Sequence, residues 1–129
     1  MAEKDVVRTD RAPGPFQGAP YNQAIRVGDL VFVAGQLGIS LETGALVGAG
    51  VAEQTEQIMR NLGAILEAAG SGLDKLVKTT VFLMDLADFA AMNDVYAAHV
   101  GDRPPARSTV QISGLPSGAL VEIEAVGHV

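Results

Sequence analysis

The 129 residues and 13.3 kDa of this chain suffice for one ordinary domain, residues 1–129, and not for two. Nine Lys and Arg against fifteen Asp and Glu leave a net charge of −6, which argues against a nucleic-acid partner, because phosphate-backbone binding draws its affinity from clustered cations. Apolar residues at 48% are enough for a core, zero cysteines exclude disulfides, thiolate nucleophiles and Cys-ligated zinc, and no apolar run suggests a membrane span or a secretory leader, so the expected address is cytoplasmic.

Residues 1–20 carry Pro13, Pro15, Pro20, Gly14 and Gly18 and read as an extended arm. Two tightly joined strands are expected at Ala24–Val27 and Leu30–Gln36. The second contains an unbroken apolar run, Leu30 to Ala34, that needs both of its faces dry. Gly38–Gly50 is glycine-rich, with at most a short strand near Ala45–Val47. From Val51 the apolar period becomes helical: Val51, Thr55, Ile58, Leu62, Ile65 and Ala69 share a stripe, Glu56 and Arg60 form an i,i+4 pair, and Gly70 supplies a left-handed stop.

Leu76–Met84 is rich in β-branched residues and predicts a long strand. Asp85 stands as N-cap to a second helix, Leu86–Val100, whose stripe is Phe89, Asn93, Tyr96 and Val100. Two alternating strands follow, Ala106–Ser113 and Leu120–Val126, expected to pair as a hairpin through Gly114–Gly118. With Gln111 opposite Glu122 and Thr109 opposite Glu124, that hairpin would set Arg107, Gln111, Glu122 and Glu124 on one face. The class is α+β: two helices on one face of a mostly antiparallel sheet.

Two helices cover only one side of such a sheet. Exposing two or three large side chains of Leu30–Ala34 forfeits roughly 1.5 to 3 kcal/mol each, so the uncovered face calls for another subunit. The alternative is that the arm folds back over it.

Among candidate groups, Arg107 follows Pro104-Pro105-Ala106 and opens a strand. A guanidinium there can grip a small carboxylate through two parallel hydrogen bonds, or it can pair with Glu122 or Glu124; the pattern alone leaves both open. Glu122 and Glu124 lie on one side of a strand, as an alternating solvated face also requires, and either one beside Arg107 in an interface can orient a water or act as a general base. Asn93, a polar amide on a buried stripe, needs a partner, with sheet backbone or an adjacent loop the simplest. Tyr21 ends the arm as a rim aromatic or a ring over a ligand. The segment Gly48–Glu53 lacks the third glycine of a dinucleotide loop, and His99 and His128 stand apart with no metal-ligand set.

The segments Gly18–Ile25 (GAPYNQAI), Val31–Gly38 (VFVAGQLG), Lys78–Tyr96 (KTTVFLMDLADFAAMNDVY) and Pro105–Val126 (PARSTVQISGLPSGALVEIEAV) resemble the Rid, or YjgF/L-PSP, family of reactive-intermediate deaminases, in order over Pro20 to Val126. The resemblance implies a chorismate-mutase-like fold and homotrimers whose sheets form a central barrel, with active sites in the clefts between subunits. It implies hydrolysis of 2-imino acids and their enamine tautomers to 2-keto acids and ammonia, with no metal or organic cofactor. In that role Arg107 would hold the substrate carboxylate and Glu122 would position or activate the attacking water. Tyr21 and Asn93 would line the cleft, completed by backbone near Gly35 and Thr109. Two positions depart from the family: Ala34 replaces a frequent serine and Thr109 a frequent cysteine. They admit a non-catalytic trimer that binds small keto acids as an alternative; the endoribonuclease or translation-inhibitor activity attached to the family is another.

Overall fold

In the computed structural model, which describes residues 3–129, six strands and two helices follow the order β1 (Lys4–Val7), β2 (Ala24–Val27), β3 (Leu30–Gln36), α1 (Val51–Ala68), β4 (Leu76–Leu83), α2 (Phe89–Val100), β5 (Ala106–Gln111) and β6 (Val121–His128). The strands form one sheet in the order β1-β2-β3-β6-β4-β5, antiparallel except for the parallel pair β4 and β5.

The expected stripe of α1 is buried from Val51 to Ala69 and packs on β3 and β6. Its end is a Schellman turn: Ser71 N–H donates to the Leu66 carbonyl and Gly70 N–H to that of Glu67, with Gly70 at φ +86°. The Glu56–Arg60 pair forms at 2.8 Å. The second helix begins as expected at Asp85, whose side chain accepts from Ala87 N–H, but its first turn, Leu86–Asp88, is a 3₁₀ turn. The buried stripe of α2 is Met92, Tyr96 and Val100, which rotates Phe89 and Asn93 away from the core centre. Ile58, Met59, Leu62, Ile65 and Leu66 of α1 meet Val31, Val81, Leu83, Val121 and Ile123 of the sheet, each at most 1% exposed, to make the core.

The loop before α1 holds a single bridge, Ile39 to Leu46, rather than a strand. The described part of the arm, residues 3–20, does not cover the open side of the sheet. It adds an edge strand, β1, and buries Val7 and Ala12 in the core cluster. The open face therefore carries Val6, Val27, Leu30, Phe32 and Val110, all more than one third exposed.

The expected hairpin does not form, because β4 lies between β5 and β6. The segment β4-α2-β5 is a crossover unit that returns β5 parallel to β4, and β6 enters between β3 and β4. Pro116–Gly118, the intended hairpin turn, is a 3₁₀ turn with Ser117 at φ +61° that carries the chain past the end of β4. Across β4, Val110, Phe82 and Glu122 form one row and Gln111, Leu83 and Val121 the next. This is one residue away from the expected register, and a one-residue slip turns every side chain to the other face.

Candidate active site

That shift divides the candidate residues into two groups. Arg107 and Thr109 stand opposite Thr79 and Val81, both fully buried beneath the helices, so they face the helix side. Glu122 and Glu124 stand opposite Phe82 and Thr80 on the open side. Thr109 therefore does not face Glu124, Arg107 shares no face with Glu122, and two strand spacings, about 9.6 Å, separate β5 from β6. A small ligand cannot be held by both from within one chain.

On the helix side, Arg107 lies at the sheet edge under the start of α2. Its Cζ is 5.4 Å from the centroid of the Phe89 ring and 4.9 Å from that of Tyr96, so the guanidinium stacks against two π faces and keeps its planar fork oriented. The Tyr96 hydroxyl bonds Thr79 Oγ1 at 2.6 Å, and burial raises the Tyr96 pKa against the opposing effects of Thr79 and the Arg107 charge. Asn93 lies on the helix face between Phe89 and Tyr96. Its Oδ1 and the Thr109 Oγ1 are buried with no hydrogen-bond partner among the described residues, so the sheet or loop bond expected for Asn93 oxygen does not form. The ion pairs among the described residues link Arg11 to Glu67 and Glu56 to Arg60 and His99, leaving Arg107 with no carboxylate. A cation without an anion, beside two orphaned polar atoms, is an arrangement short of a ligand.

On the open side, the Glu122 carboxyl lies against Gly35, where an added Cβ would come within 2.8 Å of Glu122 Cδ and Oε1. The glycine is what lets β3 and its bulge accommodate that acid. Desolvation, and to a smaller extent the charge of Glu124, raises the Glu122 pKa. Glu122 and Gly35 also line a cleft of about 730 Å³ walled by Pro13–Gln17 and Tyr21 of the arm, the loop from Leu37 to Leu46, and the Pro116–Ser117 turn. Tyr21 is 41% exposed, and its hydroxyl accepts from Phe16 N–H, which braces the arm.

The six residues expected in one cleft divide within the chain: Tyr21, Gly35 and Glu122 border the open-side cleft, and Arg107, Asn93 and Thr109 lie on the helix side. Phe89 and Tyr96, expected only as part of a helix stripe, both hold their rings against Arg107, and Phe16, Ser117 and the 37–46 loop join the cleft without having been expected there. The signal for the turns was the twin pattern Phe16-Gln17-Gly18-Ala19 and Pro116-Ser117-Gly118-Ala119, in which Gln17 and Ser117 both take positive φ beside the cleft. Among the described residues no three His, Asp or Glu side chains gather into a metal-binding group, and no helix is long and apolar enough to cross a membrane.

A family model described as Endoribonuclease L-PSP matches residues 11–129. The human protein 2-iminobutanoate/2-iminopropanoate deaminase is 42% identical over 121 residues, covering 94% of this chain and 87% of its own. Among solved structures, RidA from an Antarctic Psychrobacter superposes with a TM-score of 0.91 at 42% identity, covering 97% of this chain and 99% of that one. E. coli TdcF with bound serine superposes with a TM-score of 0.88 at 36% identity, covering 97% of this chain and 98% of that one.

Proposed function

The chain belongs to the L-PSP, or Rid, family, and from that premise we propose that it is a cytoplasmic, homotrimeric deaminase hydrolysing 2-imino acids such as 2-iminopropanoate and 2-iminobutanoate to 2-keto acids. The observation that carries this reading is Arg107, a guanidinium stacked on Phe89 and Tyr96 with no carboxylate of its own. The human relative is named for this reaction, and the E. coli neighbour holds serine, a small α-carboxylate.

The chemistry follows from the two halves of the site. Arg107 binds the substrate carboxylate bidentately, which fixes the plane of the adjacent C=N bond. Glu122 of a neighbouring protomer accepts a proton from a water aimed at the imine carbon. The C–O bond forms, the C=N π electrons pass to nitrogen, and the resulting amine takes up protons. Collapse of the carbinolamine breaks the C–N bond, releasing ammonia and leaving the 2-keto acid. An imine carbon is already electrophilic, so orientation and one positioned base suffice. Tyr21 and Asn93 border the ligand, and the Thr109 hydroxyl and Gly35 backbone complete the enclosure. The uncovered apolar residues Leu30, Phe32 and Val110 supply the reason for a neighbour.

The test is to generate 2-iminopropanoate or 2-iminobutanoate in situ and follow keto acid release. Wild type accelerates it and Arg107→Ala loses at least about tenfold in kcat/KM, as expected from one charged hydrogen-bonded pair. A rate unaffected by the protein overturns the reading. If 2-oxobutanoate binds without turnover, the alternative raised by Ala34 and Thr109, a non-catalytic keto-acid binder, takes its place. The family's description raises an endoribonuclease as well. The net charge of −6 opposes it, and RNA cleavage abolished by Glu122→Gln would favour it.

A further inference from the structure

Resting on the deaminase reading, we propose that the cleft beside Glu122 is a side-chain subsite, and that the preferred substrates are 2-imino acids with large apolar side chains rather than the methyl or ethyl group of the smallest ones. The open cleft of one protomer offers about 730 Å³, far more than a methyl group fills. Its walls carry Pro13, Phe16, Leu37, Ile39, Leu41 and Leu46 beside the uncharged polar side chains of Gln17, Gln36, Ser40 and Ser117, and among the described residues the ionisable side chains lining it are Glu122 and Tyr21. No cationic side chain lines it, so an anionic substrate tail would lose its hydration on entry with no counter-charge to replace it.

The walls are fixed by buried amides. Gln23, 3% exposed, accepts from Thr9 N–H and donates to the carbonyls of Thr9, Ala12 and Pro13, tying down the arm. Asn61 donates to the carbonyls of Leu37 and Ile39, and Gln54 joins the Gly48 carbonyl to Leu120 N–H, holding the loop and the Pro116–Ser117 turn to α1. Three side chains, each at most 3% exposed, thus spend their hydrogen bonds on the backbone of the cleft's three walls. A site so preorganised is not an accidental gap between mobile loops. With the carboxylate on a neighbour's Arg107 and the reacting carbon over Glu122, the substrate's remaining substituent points into this cleft.

The experiment compares 2-iminopropanoate, 2-imino-4-methylpentanoate, 2-imino-3-phenylpropanoate and the dicarboxylate 2-iminopentanedioate, each made in situ by an amino-acid oxidase. Calorimetry of pyruvate against 4-methyl-2-oxopentanoate runs beside it. The expected kcat/KM for the isobutyl or benzyl substrate exceeds that for 2-iminopropanoate by at least about tenfold, the dicarboxylate is poorest, and the keto acids bind in the same order. Leu46→Trp, which narrows the cleft, lowers the isobutyl-to-methyl ratio about tenfold; Phe16→Ala, on the arm, lowers it too and serves if the tryptophan variant does not fold. Brisk turnover of 2-iminopropanoate with equal or declining rates for larger side chains overturns the subsite and leaves the deaminase standing. No turnover of any imino acid, with 4-methyl-2-oxopentanoate still bound more tightly than pyruvate, overturns the deaminase and supports the subsite.

Discussion

Arg107 and Glu122 leave the same sheet from opposite faces, Arg107 in register with buried Thr79 and Glu122 in register with Phe82 on the open side. Within one chain a guanidinium without a carboxylate stands on one face, and a carboxyl in a cleft with no cationic lining residue stands on the other. Cyclic association, in which one surface of each protomer meets a different surface of the next, is the simplest symmetry that brings such halves together.

Gly35→Ala tests the Glu122 half. The new methyl would sit 2.8 Å from the carboxyl, a contact the acid relieves only by swinging away. The displaced group is the end of a flexible side chain, so stability falls by about 1 kcal/mol or less while kcat/KM drops at least about tenfold. Thermal unfolding and kinetics on the same preparation check the split, and a fall in stability with activity intact would contradict it.

The open face gives a second prediction. Phe32 is 46% exposed at the middle of the uncovered sheet, and Phe32→Glu places a charge where a neighbouring subunit would bury it. An unpaired charge there costs several kcal/mol, so sedimentation reports a particle near the 13.3 kDa monomer, with unchanged far-ultraviolet dichroism and no turnover.

The pH dependence follows from Glu122. Its pKa is raised, first by desolvation and then by Glu124, so the base becomes competent only above the usual carboxylate range and the acid limb of kcat/KM lies correspondingly high. Glu124→Gln removes the like charge and moves that limb to lower pH. The effect on stability has the opposite sense to that of a salt-bridged acid. A carboxyl whose folded pKa exceeds its unfolded one leaves stability untouched at low pH and lowers it as pH rises through the window between the two values. Glu122→Gln therefore unfolds at a higher temperature than wild type at neutral pH, and the difference disappears below about pH 4.

The helices and the uncovered face were legible because each follows from a period: the 3–4 stepping of Val51 to Ala69, and an apolar run in Leu30–Ala34 too continuous for a one-sided strand. The pairing of the last two strands was not. Their alternation fits either register equally well, and a five-residue Gly-Leu-Pro-Ser-Gly loop looks like a hairpin whether or not another strand lies between. The corrective signal was in the order of elements: a strand, a twelve-residue helix and a strand make a crossover that seats β5 parallel to β4. With β4 inserted, Glu122 moves to the Val110 row and away from Arg107. Asn93 and Thr109 were legible as candidates from residue type and stripe, whereas their missing partners are visible only in three dimensions.

The most direct test of a site shared between protomers is complementation. Arg107→Ala and Glu122→Gln chains, each inactive alone, are unfolded, mixed in equal amounts and refolded together. If each site takes Arg107 from one protomer and Glu122 from the next, random mixing leaves about one site in four with both groups intact, and deaminase activity returns to roughly that fraction of wild type. If both groups served one site within the same chain, every site would carry a defect, and a mixture as inactive as its parents would contradict the account.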